Sequence, residues 1–233
     1  MGFIDDIKVD QDLQIKTLCV AFFLVIFPLY FFSVAAGTES LAGMRGVGKY
    51  SVSGEITYID FDSGEETIAD GSPLVIDLNT DALDDIADKN IVGVLVSMSY
   101  GEDETEDGAF GAPCVTGSLS ADTITGTASH LNFSNSTDGQ NADGNGAHDV
   151  STEWYNSSMV GQDIEGLSES EIVEQIDSNG AGLGDYTVEI AVAANSQNSP
   201  GCTRSDTGET VSYTIQLIVL DYTIVPFVEI ENI

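Results

Sequence analysis

The sequence predicts an antiparallel β-sandwich preceded by one membrane-spanning helix. Three observations predict it: a single long apolar run near the N-terminus, period-two alternation through most of the remaining chain, and Gly/Asn/Asp/Ser clusters between the alternating runs. The 233 residues suffice for one domain with an anchor. Their composition is that of a folded chain, 42% hydrophobic with 24 glycines and 5 prolines.

The anchor comes first. Residues 1–16 form a short tail holding Asp5, Asp6, Asp10 and Asp12 against Lys8 and Lys16. Thr17 to Ala36 reads TLCVAFFLVIFPLYFFSVAA, twenty residues without a charge. A helix of that length covers the roughly 30 Å hydrocarbon core of a bilayer. Pro28 falls mid-segment, where membrane helices tolerate a lost donor better than soluble ones. The rival is a signal peptide cut after Ala35 or Ala36, but the run exceeds an ordinary h-region and its leader is not basic. Residues 37–49, punctuated by Gly37, Gly43, Gly46 and Gly48, form a flexible tether.

Residues 50–233 are then expected to be an extracytoplasmic sandwich. Val52, Ile56 and Tyr58 alternate with Ser51, Ser53, Glu55 and Thr57. The same period marks Val92 to Tyr100, Tyr186 to Val192, and Val211 to Val219. Adjacent side chains point to opposite faces of a strand, so each run offers one face to a core. Segments 73–78, 115–125 and 151–160 bring the expectation to about seven strands. A helix is predicted over 169–177, capped by Ser168 with Glu171 three residues on and Gly180 beyond its end. Residues 81–88 suggest one further helical turn.

Charge decides the broad class of partner. Of the 39 acidic and 6 basic residues, 35 and 4 lie in residues 38–233. A net charge of −33 excludes nucleic acid, whose phosphates need a basic patch, and attraction to anionic lipid headgroups. Excess Asp and Glu with little Lys resembles the surfaces of proteins from salty habitats, where screening relieves self-repulsion. Cys114 and Cys202 form an even pair in turn-rich sequence, and a disulfide between them suits an oxidising exterior. The sequons at Asn132, Asn135 and Asn156 point the same way, as glycosylation acceptors. Cys19 belongs to the apolar run.

One motif suggests a metal. Asn141-x-Asp143-x-Asn145-Gly146, with Asp149 at the ninth place, has the oxygen spacing of a calcium loop. It departs from the pattern at both ends: Asn opens it, and Thr152 stands where a bidentate Glu is expected. The alternative is a solvated Asn/Gly turn. Calcium is the one cofactor the sequence suggests. The acidic stretch Gly101 to Gly111 reads as a solvated hairpin tip. His130 and His148 lack the companions of a transition-metal site and read as structural.

Gly184-Asp185-Tyr186-Thr187-Val188-Glu189-Ile190-Ala191-Val192 resembles the penultimate strand of immunoglobulin-like and PKD-like sandwiches. The resemblance implies a corner bond from the Tyr186 hydroxyl and entry of the following alternate residues into the core. The inter-sheet cysteine pair is absent, since Val188 stands two residues beyond Tyr186. The fold carries no activity with it. No nucleophile elbow, phosphate loop or Cys–His signature occurs in the sequence, so no catalytic residue is assigned and an enzyme is not expected. The expected role is that of a surface or envelope protein, or an accessory subunit of a membrane assembly. It would contact lipid through residues 17–36 and act on other proteins, with oligomerisation open. A pilin-like filament subunit is the second reading and an extracellular carboxylate hydrolase the third.

Overall fold

The strand that begins before Val52 continues well past Tyr58, and β1 runs Gly48–Ala69. Tyr58 is exposed, and the buried and half-buried residues change parity, from Val52 and Ile56 to Ile59 and Phe61. A computed structural model of the chain describes residues 22–23, 48–101, 105–108, 120–141, 144–196 and 202–227. Among the described residues, ten further strands occur: β2 (Leu74–Asn79), β3 (Ile91–Tyr100), β4 (Thr105–Gly108), β5 (Thr123–His130), β6 (Phe133–Gln140), β7 (Gly146–Glu153), β8 (Asp163–Leu167), β9 (Asp185–Ala193), β10 (Cys202–Ser205) and β11 (Gly208–Pro226). The helix α1 spans Glu169–Ile176 and buries Ile172 and Ile176. It matches the predicted 169–177.

The chain divides into two compact units, Val52–Asp163 with Ser170–Ile224, and Met1–Ser51 with Ile164–Glu169 and Val225–Ile233. In the second unit, Lys49 meets Glu165 at 3.1 Å and lies over the Phe227 ring at 4.9 Å. The Phe227 amide donates to the Lys49 carbonyl (2.8 Å). The span expected over 17–36 lies outside the described residues except for Phe22 and Phe23, whose rings meet edge to face at 5.3 Å. Among the described residues, no helix is long and apolar enough to cross a membrane.

The larger unit is an antiparallel sandwich-like pair of sheets. One has the order β7-β3-β11-β1 and the other β2-β9-β5-β6, with β10-β4 as a separate ribbon. β11 pairs antiparallel with β3, and β3 with β7. Side-chain bonds Thr67–Thr210, Ser212–Glu65 and Gln216–Asp60 show that β1 runs opposite to β11. In the second sheet, β9 lies between β2 and β5, and β5 pairs with β6.

Alternation produces the core. Ile124 and Ala128 of β5 and Tyr186, Val188, Ile190 and Val192 of β9 face inward. They share one cluster with Val94, Val96 and Met98 of β3, Val150 of β7, and Ile215, Leu217 and Val219 of β11. Each buried Val, Ile, Leu or Met side chain contributes about 1.5–3 kcal/mol when removed from water. Gly126 of β5 shows how closely the sheets approach, since a Cβ there would collide with the Met98 side chain of β3. Where β6 and β7 run side by side, Thr137 Oγ1 donates to the Asp149 carbonyl (2.9 Å) and Asn135 Nδ2 to that of Ser151 (2.7 Å). Polar side chains therefore join the two sheets along that edge.

The strand count corrects the expected seven. The segment expected at 115–125 becomes a strand only from Thr123, and 115–119 lie outside the described residues. The strand expected over 151–160 is β7, which ends at Glu153 and is followed by a short 3₁₀ turn at Ser157–Met159. Residues 81–88 contain only the 3₁₀ turn Thr80–Ala82, capped by the Asn79 side chain accepting from the Asp81 amide (2.7 Å). β6 has no counterpart among the expected strands, because Ser, Asn, Thr, Asp and Gly fill it. Its first four residues are exposed, so no apolar face marks it. Backbone pairing to β5 makes the strand without one.

Tyr186 makes the expected corner. Its hydroxyl donates to the Gly182 carbonyl (2.6 Å), and burial pushes the phenol above its ordinary range. Its ring stacks on His130 (4.0 Å, 14°) and takes the edge of Phe61 (5.4 Å, 90°). His130 is buried, with Nδ1 2.8 Å from the Asp185 carbonyl and Nε2 2.6 Å from that of Ala181. Trp154 packs beside both rings and donates to the Ile91 carbonyl (2.9 Å). Tyr186→Phe is expected to cost about 1–2 kcal/mol by leaving the Gly182 carbonyl unpaired. The urea midpoint measures it, and an unchanged midpoint would show that the corner bond adds nothing.

Candidate metal centre

Strand register brings three chain segments to one level at an end of the larger unit. Thr123 opens β5 and is opposite both Gln140 of β6 and Ala193 of β9. Asp122 therefore lies beside Asn141 and the residues that come after β9. The Asp122 amide donates to Asn141 Oδ1 (2.8 Å), and Asp122 Oδ1 accepts from the Asn195 amide (2.6 Å).

The turn from β10 to β11 supplies the other acids. Asp206 Oδ1 accepts from the Gly208 amide (3.0 Å), closing the turn. Gly208 has φ 146°, and a Cβ there would strike the Ile68 carbonyl, so glycine is required. The Asp70 amide donates to the Thr207 carbonyl (2.9 Å) and holds the turn to the end of β1. Glu209 comes next, with its Oε1 accepting from Asn141 Nδ2 (2.7 Å). Arg204, buried on β10, is in register with Glu106 of β4.

Asp122, Asp206 and Glu209 each place one carboxylate oxygen within 4.8 Å of the others. Asp122 and Glu209 are fully buried and Asn141 nearly so, at 1% exposure. Asp122 Oδ2 and Asp206 Oδ2 are buried without a hydrogen-bond partner. Burial, reinforced by the Asp206 carboxylate, pushes the Asp122 carboxyl up to about 6, against the Glu209 and Asn195 contacts that lower it. Three carboxylates this close, two of them on fully buried residues, disfavour one another's ionisation unless a shared proton or a cation intervenes. Their all-oxygen donor set is that of a hard cation, not of zinc or copper.

The residues of the expected calcium loop are dispersed. Asn141 is buried, and both ends of its amide are used at the acidic cluster. Asp143 lies outside the described residues. Asn145 is exposed just before β7, and Asp149 is exposed within it, in register with Ser97. Extended backbone advances ~3.3 Å per residue, so these two side chains do not converge. Of the acidic stretch 101–111, residues 105–108 form β4.

Asn132 is exposed at the tip of the β5–β6 hairpin. Asn135 is exposed, but its amide nitrogen donates to Ser151. Asn156 is half-buried, with Nδ2 on Gln175 Oε1 (2.9 Å) and Oδ1 accepting from the Ser158 hydroxyl (2.6 Å). His148 Nδ1 lies 3.0 Å from the Tyr100 hydroxyl. Cys202 is buried on β10 and disulfide-bonded, and Cys114 lies outside the described residues.

Sequence reasoning names Asn141 within a calcium loop, not as the partner of Asp122 and Glu209, and does not single out Asp122, Asp206 or Glu209. The one local signal is Asp206-Thr207-Gly208, a turn signature without metal meaning by itself.

No family model matches the chain, and no curated protein matches it. Among solved structures, a chain of Desmodium yellow mottle tymovirus is similar over 77% of this chain and 91% of that one. Identity is 9% and the TM-score 0.23, a likeness that carries no conclusion about this chain.

Asn141→Ala removes the partners of the Asp122 amide and of Glu209 Oε1, for an expected loss of about 2–4 kcal/mol. Asn145→Ala, at an exposed position, is expected to change stability by less than about 0.5 kcal/mol. Urea unfolding of the two variants checks the contrast. Equal midpoints would deny Asn141 its structural role.

Proposed function

We propose that the chain is a non-catalytic surface or envelope protein, or an accessory subunit of a membrane assembly. In this reading residues 17–36 anchor it in lipid and the sandwich stands outside, acting on other proteins. The sandwich is immunoglobulin-like, supported by the Tyr186 corner bond and by Trp154 packed beside it.

The observation that carries the interaction reading is how the polar chemistry is used. Asn90, His130, Asn141, Thr152 and Trp154 all direct side-chain bonds onto backbone groups and so hold elements in place. The outward acids Glu55, Asp60, Glu65 and Glu66 line β1. Such exposed acids stay hydrated and favour a partner that brings cationic groups or a salt-rich medium.

Protease added to intact source cells tests the placement, and extraction in mild detergent followed by sizing tests the role. The expected result is digestion of residues 50–233 from outside and recovery with a fixed set of other chains. A protected C-terminal part would overturn the placement, and helical polymers would replace the reading with the pilin-like one.

A further inference from the structure

We propose that Asp122, Asp206 and Glu209 bind one calcium ion that ties the start of β5 to the turn between β10 and β11. This goes beyond the proposed function and stands or falls separately from it.

Two observations carry the site. The first is convergence: acids from segments more than eighty residues apart place one oxygen each within 4.8 Å of the others. Calcium–oxygen distances of about 2.3–2.6 Å let a single ion reach oxygens so separated. The second is the state of Asp122. Its residue is 0% exposed, and its carboxyl lies within hydrogen-bond reach of Asp206 and Glu209. Yet Oδ2 has no hydrogen-bond partner. A buried carboxylate that converges with two others and keeps one oxygen unbonded gains nothing from them unless something positive lies between.

The neighbouring bonds pre-organise the acids and leave Asp122 Oδ2 and Asp206 Oδ2 without a hydrogen bond. Asn195 fixes Asp122 through Oδ1, Gly208 fixes Asp206 through Oδ1, and Asn141 fixes Glu209 through Oε1. A hard ion suits this arrangement. Zinc prefers nitrogen and sulfur, and magnesium demands near-ideal octahedral geometry and keeps several waters. Calcium accepts irregular oxygen sets of six to eight donors, so three carboxylates and water can complete its shell.

The test uses the full chain in detergent micelles and follows thermal unfolding, with calcium, magnesium or chelator added in concentrated sodium chloride. The salt screens diffuse attraction to the acidic surface. Calcium at saturating concentration is expected to raise the melting temperature by about 5–10 °C. Magnesium at the same concentration is expected to raise it by less than half as much. Asp206→Asn keeps the turn-closing acceptor for Gly208 and is expected to lose the calcium shift. Asp149→Asn is expected to keep it. Should Asp206→Asn fail to fold, Glu209→Gln, which retains an acceptor for Asn141, takes its place. Competition with a chromophoric chelator is expected to find one calcium equivalent on the wild-type chain.

No calcium shift, an equal shift in the Asp206→Asn chain, or loss of the shift on Asp149→Asn alone would each overturn the site. None of these outcomes bears on whether the sandwich stands outside the membrane.

Discussion

One layer of apolar side chains, shared by two antiparallel sheets, is the constraint on which the larger unit depends. β3, β7 and β11 supply Val94, Val96, Met98, Val150, Ile215 and Leu217 from one side. β5 and β9 answer with Ile124, Ala128, Val188, Ile190 and Val192. Period-two alternation makes this economical, since every second residue enters the layer and the rest stay in water. A one-residue slip of β9 would send Thr187, Glu189 and Ala191 inward, so register is fixed by burial rather than by turn chemistry.

The same layer sets how polar groups are treated at its margins. At the Tyr186 end, His130, Trp154 and Tyr186 combine ring packing with bonds to carbonyls that the ladders leave over. The Trp154 and Tyr186 donors cost little to bury there, because each meets a backbone carbonyl. At the other end, where β5, β6 and β9 meet the β10–β11 turn, the balance differs. Asn141 satisfies one backbone amide and one carboxylate oxygen, while Asp122 Oδ2 and Asp206 Oδ2 stay unpaired. Two ends of one sandwich thus differ in a physical respect, one closed by ring packing and side-chain bonds to carbonyls and one concentrated in carboxylates.

That concentration is distinct from the surface acidity of the chain. Glu55, Asp60, Glu65 and Glu66 lie in water, where screening and hydration make them cheap. Asp122 and Glu209 lie out of water, where each charge must be compensated at the site itself. A composition of 39 acids hides that difference completely.

Alternation makes the inward faces of β3, β9 and β11 readable in the amino-acid order, and the Ser168-to-Gly180 signals make α1 readable, because these features are local. The Tyr186 corner is readable for the same reason: donor and acceptor are four residues apart. β6 is not, since an edge strand of Ser, Asn and Thr owes its form to the neighbour it pairs with. Nor is the acidic cluster. Asp122 meets Asp206 and Glu209 only after three strands end at one level and a glycine turn with φ 146° folds back over Ile68. Local periodicity fixes which side of a strand faces inward, whereas the meeting of distant carboxylates is set by register between strands, which no single segment encodes.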